Sequence, residues 1–190
     1  SQKTDTITRA KRIQDYLPLN LYFHNDEPDP NTMRTTTQKT YKETYASYFI
    51  RRSDYEKNNK NSSMFFEEIL LKNFNTLNTV LGILLVDLKN GNKMELQIRG
   101  YASPLHNHDY NQNLSQRRIS SFINYLEQFK SGSLKDYIYS KKLIITKLPF
   151  GESNASNKVS DDSNDKKKSV YSIGAMLERK IEIVDVISQE

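Results

Sequence analysis

Cysteine is absent from the chain, which excludes disulfides and thiolate chemistry and leaves the redox compartment open. No uninterrupted apolar run reaches the roughly 18 residues that a bilayer span needs, so no direct membrane span is expected. Neither a secretory leader nor a methionine stands at Ser1. A processed chain, or a domain cut from something longer, is therefore expected, with its targeting signal elsewhere. Apolar residues are scarce too: 36% of the chain, with a mean hydropathy of −0.76. Long polar loops or a polar end should account for that shortfall. No internal repeat is visible at any period. The net charge is +5, but the one basic run, Lys166 to Lys168, directly follows Asp161, Asp162 and Asp165. Its field is largely cancelled nearby, and nucleic acid is not an expected partner.

What remains is a chain of 190 residues, long enough for one domain with a large insertion. Residues 1–18 read as a linker or leading segment ending at Pro18. Leu19, Leu21 and Phe23 alternate with polar neighbours and predict a first strand, which Pro28 and Pro30 terminate because they cannot donate to a ladder. A segment at about 25–61 is polar but carries Tyr41, Tyr45, Tyr48 and Tyr55 near helical spacing, predicting helices packed onto the body. Ser62 or Ser63 opens the best helix, whose broad apolar face runs from Phe65 to Leu88. Met94, Leu96 and Ile98 alternate as a half-buried strand up to Gly100. A polar loop follows, and Asn113 is the expected N-cap of a helix carrying Leu114, Arg118, Phe122 and Leu126. A strand over 143–148, a polar loop, a short helix over 169–177 and a last strand over 179–187 complete the order. Ile181, Ile183 and Ile187 should share one face of that last strand. The pattern is βαβαβ(α)β, an α/β (α+β) two-layer sandwich.

Several separated pieces together resemble the OmpA C-terminal-like domain, the module of peptidoglycan-associated envelope proteins. Gly100-Tyr101-Ala102-Ser103 followed by Asn111 and Leu114-Ser115-Gln116-Arg117-Arg118 is similar to its motif Gly-x-Thr-Asp, Asn, Leu-Ser-x-x-Arg. Phe150-Gly151-Glu152-Ser153 looks like its Gly-Glu-Ser turn, and Leu177 to Ile183 like its closing strand. Leu21-Tyr22-Phe23 matches the opening strand. The likeness spans residues 19–187 apart from the Tyr-rich insertion, and the added length resembles the version carried by Bacteroidetes-type outer-membrane proteins. The resemblance implies a single domain over 19–190 and a mixed four-stranded sheet of order 1-4-2-3. Strand 4 would be antiparallel, with helices on one face.

The resemblance also implies a function: non-catalytic anchoring of an envelope protein to the cell wall through the diaminopimelate of the peptidoglycan stem peptide. The location would be the periplasm, tied to the outer membrane through regions outside this chain. A zwitterion of that kind needs a carboxylate for its ammonium and a guanidinium fork for its carboxylate. By position Arg118 is the fork, Asn111 a loop hydrogen-bonder and Arg179 a second guanidinium. Ser103 stands where the family has Asp, and Ala102 where it has Thr. A hydroxyl forfeits the charge-assisted part of that contact, about 1–2 kcal/mol. Asp161 or Asp162 is expected to replace the lost carboxylate, with Asp165 and Asp109 as further candidates. The other reading keeps the fold as a docking module for envelope proteins without wall binding.

Rival chemistry is thin. His106 and His108 with Asp109 could hold a divalent metal, but two histidines in a polar loop are more simply solvated. Ser103, His106 and Asp109 lie on one loop that cannot readily supply triad geometry, and no Gly-x-Ser-x-Gly elbow exists. Glu152 lacks a second carboxylate at a defensible spacing. The expectation is a protein without catalytic residues, metal or cofactor.

Overall fold

A computed structural model of the protein describes residues 12–102, 107–152 and 164–189. Four long strands form a mixed sheet: β1 (Leu19–Tyr22), β2 (Lys93–Ala102), β3 (Leu143–Lys147) and β5 (Lys180–Gln189). A two-residue strand, β4 (Gly151–Glu152), pairs with the end of β2. The spatial order is β1-β5-β2-β3, so the long strands follow the expected 1-4-2-3. β5 runs antiparallel to both β1 and β2, and β3 runs parallel to β2.

Two long helices supply the second layer. The first, α3 (Ser62–Lys89), is long and apolar enough to cross a membrane by length and composition. Here it is a core helix, burying Leu77, Val80, Leu81, Leu84, Leu85 and Leu88. Its early portion, Phe65–Leu71, is wound as a π-helix. The second, α4 (His108–Gly132), follows β2 and buries Leu114, Ile119, Phe122 and Leu126. Phe129, Lys130 and Ser131 leave helical geometry and turn the chain. The N-cap is Asn107, whose side chain accepts from the N–H groups of Asp109 and Tyr110. Asn113 therefore lies inside the helix, in its second turn. The added first turn is mostly exposed and carries no apolar periodicity that could announce it.

β2 buries Met94, Leu96 and Ile98 and leaves the alternate residues half-buried. β5 begins the same way with Ile181 and Ile183. Gln97 then pairs with Asp185 while Ile98 pairs with Ile183, so Val184 is an extra residue in the ladder. That bulge shifts the phase, burying Val186 and leaving Ile187 half-buried on the other face. The unbroken alternation expected through Ile187 is corrected on this point. Before β1, Ile13 sits in a 3-10 turn (Ile13–Tyr16) and is buried in the main core.

The insertion folds as α1 (Tyr41–Ile50) and α2 (Arg52–Asn58). Thr40 and Glu43 form a reciprocal capping box at the start of α1. Tyr41, Tyr48 and Tyr55 are fully buried, and Tyr45 stacks on Phe74 of α3, with ring centroids 4.1 Å apart. The tyrosines thus pack the insertion onto the body, as their spacing predicts. Among the described residues three further short helices follow: α5 (Lys135–Tyr139), α6 (Lys166–Ser169) and α7 (Ile173–Glu178).

Candidate functional site

Two glycines fix the start of the site. A Cβ on Gly100 would lie 2.7 Å from the ring of Phe150, and one on Gly151 would lie 2.6 Å from the ring of Tyr101. Each aromatic occupies the space left by the other's glycine neighbour, so the end of β2 and the start of β4 interlock. Tyr101 pairs with Gly151 and Ala102 with Glu152 across this junction. The Ser115 hydroxyl donates to the Tyr101 carbonyl, tying the second turn of α4 to the strand end. The strand–loop–helix unit around Gly100 is held at both ends by these contacts.

Arg118 and Arg179 are both buried at the base of this unit. Arg118 Nε donates to the Glu27 carbonyl at 3.0 Å, and its guanidinium lies 5.2 Å from the centroid of Phe23. Its Nη2 is buried with no hydrogen-bond partner. Burial, then the nearby Arg179 and Arg117, lower its pKa to about 9, although Asp26 opposes them. Arg179 Nε donates to the Phe23 carbonyl, and Nη2 donates to Tyr55 Oη at 2.9 Å and to the Val170 carbonyl at 3.0 Å. Arg179 thus meets phenol and backbone oxygens. Among the described residues, no carboxylate lies within 4.0 Å of a nitrogen of either guanidinium.

Asn111 is buried in the first turns of α4, its N–H donating to the Asn107 carbonyl. It lies on the same helix as Arg118, two turns earlier. Ser103, His106, Ser153, Asp161 and Asp162 lie outside the described residues, so the acidic half of the expected site has no described geometry. Asp165 caps no helix by its side chain and pairs with Lys168 at 3.9 Å. Asp109 is exposed in the first turn of α4. His108 bonds Gln112 on that turn, and no cluster of three potential metal ligands exists among the described residues.

Several residues around the two arginines escape sequence reasoning. Arg117, adjacent to the expected fork, is fully buried. It donates to the carbonyls of Pro28, Thr32 and Arg34 and thereby pins the loop after β1. Asp26 accepts from the Tyr110 hydroxyl at the head of α4. His24 Nδ1 lies 2.7 Å from Tyr55 Oη. Arg179 can only donate, so the Tyr55 oxygen accepts from it and the phenol proton is available for unprotonated Nδ1. Burial, followed by Arg179, Arg51 and Arg118, holds the His24 imidazole down to about 3. The one available signal was the polar run after Phe23, which marks a strand end but not what the side chains meet.

No family model, curated protein or solved structure matches the chain.

Proposed function

We propose that the chain is a non-catalytic peptidoglycan-binding module that anchors an envelope protein to the cell wall in the periplasm. The observation carrying this reading is the Arg118 guanidinium, buried on the helix after β2 with Nη2 unpaired. A ligand carboxylate is the group that best completes a buried guanidinium, because it supplies both charge and acceptors in matching geometry. The diaminopimelate of the stem peptide carries such a carboxylate. The resemblance of the Gly100–Arg118 stretch to the OmpA C-terminal-like motif supports the same assignment, and the strand order is compatible with it. Arg179 contributes a second buried positive charge, and Asn111 borders the same helix turns.

One observation favours the alternative, a docking module without wall affinity. Glu27, Phe23, Tyr55 and Val170 of the chain itself already take donors of the two guanidiniums, leaving less for a ligand. Co-sedimentation with diaminopimelate-containing sacculi separates the readings. Arg118→Ala should weaken sedimentation at least about tenfold, and Arg118→Lys, which keeps charge but lacks the fork, should recover only part. Circular dichroism on both variants checks that the fold survives. No sedimentation of the unaltered chain would transfer the assignment to the docking reading. Unchanged sedimentation of a folded Arg118→Ala variant would remove Arg118 as the clamp.

A further inference from the structure

A cavity of about 240 Å³ opens where the insertion meets the segment ahead of β5. Its walls include His24 from the end of β1, Arg51, Asp54 and Tyr55 from the insertion, and Lys166 and Tyr171 from around α6. The elements are joined behind it: Asn59 Nδ2 donates to the Tyr171 carbonyl, and the Tyr55 and Tyr171 rings meet edge-on at 4.9 Å. The lining is therefore mostly polar and charged, with Val170 and the Tyr171 ring as its apolar part.

Counting charge decides the sign of the ligand. Arg51 is offset by Glu27, whose carboxylate lies 3.4 Å from Nη2. Lys166 shares the lining with Asp54, whose carboxylate pairs with Lys57 at 4.0 Å. Arg179 sits directly behind the cavity, donates to its lining residues Tyr55 and Val170 and has Glu178 as a neighbouring carboxylate. With Lys57 counted, these groups together leave one excess positive charge. Arg51 also retains a buried Nε with no hydrogen-bond partner. The depressed imidazole of His24 reports the same positive field, since Arg179 and Arg51 are two of its causes after burial.

We propose that this cavity binds a small organic monocarboxylate, with Arg51 and Lys166 gripping the carboxylate and Val170 and Tyr171, both half-buried, covering its apolar body. A single negative charge matches the single excess positive one. A dianion such as phosphate would set its second charge against Asp54 and Glu27. The volume is below the range of drug-sized ligands, so the molecule is small. The site is separate from the unpaired Arg118 nitrogen and does not rest on wall binding.

The test is an amide NMR titration of the full chain with sodium benzoate, benzylammonium chloride and inorganic phosphate at constant ionic strength. Benzoate should give saturable shifts at Asn25, Tyr55 and Tyr171, and benzylammonium, the same shape with the opposite charge, should give none. Arg51→Met should weaken benzoate at least about tenfold and Lys166→Gln about threefold. Lys166 is exposed, so its variant keeps the measurement meaningful if Arg51→Met perturbs the fold. No saturable benzoate shift would overturn the proposal, as would equal affinity in both variants or equal shifts with benzylammonium. Tighter binding of phosphate than of benzoate would overturn the carboxylate assignment.

Discussion

Between the sheet and its two long helices the buried side chains are largely aliphatic: Leu21, Leu77, Leu81, Leu84, Leu96, Ile98, Ile181 and Ile183 among them. Between the insertion, the head of α3 and α7 they are Tyr22, Tyr48, Tyr55, Phe65, Phe66, Leu70 and Met176. The aliphatic cluster asks only for volume and shape. The aromatic cluster surrounds Arg179 and borders His24, so its tyrosines must supply oxygens as well as area. Burial raises the pKa of Tyr41 and Tyr55 strongly; both remain neutral phenols able to donate. The first region is stabilised by exclusion of water. The second adds a small polar network whose members depend on one another.

Truncation should be most costly in the aliphatic region. Phe122 is fully buried against the sheet, and Phe122→Ala should lower unfolding free energy by about 3–5 kcal/mol, read by urea denaturation. The aromatic region is better probed by removing one oxygen. Tyr55→Phe deletes the partner of both Arg179 and His24 and should cost about 1–3 kcal/mol with little change in volume. A loss below 0.5 kcal/mol would mean that the network contributes shape alone, erasing the distinction between the regions.

The third probe is pH. Folded His24 stays neutral down to about 3, whereas the unfolded chain takes up a proton below about 6.5. Its contribution to stability is complete above pH 6.5 and is lost as pH falls toward 3. Between pH 6.5 and 5, where most carboxylates remain ionised, this group should remove about 1.7 kcal/mol at most. His24→Gln should flatten that part of the stability profile. An equally steep decline in the variant would assign the acid sensitivity to other groups.

The aliphatic layer was largely legible in the sequence because its signals are periodic. Alternation located β2 and the start of β5, and the apolar stripe from Phe65 to Leu88 located α3. The start of α4 was displaced because His108, Asp109 and Tyr110 face mostly outward, and Asn107 caps by a side-chain bond that hydropathy cannot register. Tyrosine spacing indicated packing of the insertion, but not that Tyr55 would serve a guanidinium 124 residues away. Arg118 falls on the apolar stripe of Leu114, Phe122 and Leu126, but nothing in the spacing announces that Arg117 beside it is buried as well. Each is buried because the loop after β1 folds over it and offers carbonyl oxygens. That contact is set by tertiary structure, which is why the neighbourhood of Arg118 was harder to foresee than Arg118 itself.

The extra residue at Val184 makes the two halves of β5 answer to opposite parities. Counting inward positions from Ile181 gives the wrong face by the time the count reaches Ile187. Deleting Val184 alone would restore a regular ladder and leave the faces unchanged. Asp185 and Val186 would follow Ile183 opposite Gln97 and Leu96 without interruption, with Val186 still inward and Ile187 still outward. A relative lacking only this residue would therefore read as one uninterrupted alternation through the closing segment, whereas losing any other single residue of the strand would leave the bulge in place and put the positions beyond it out of phase.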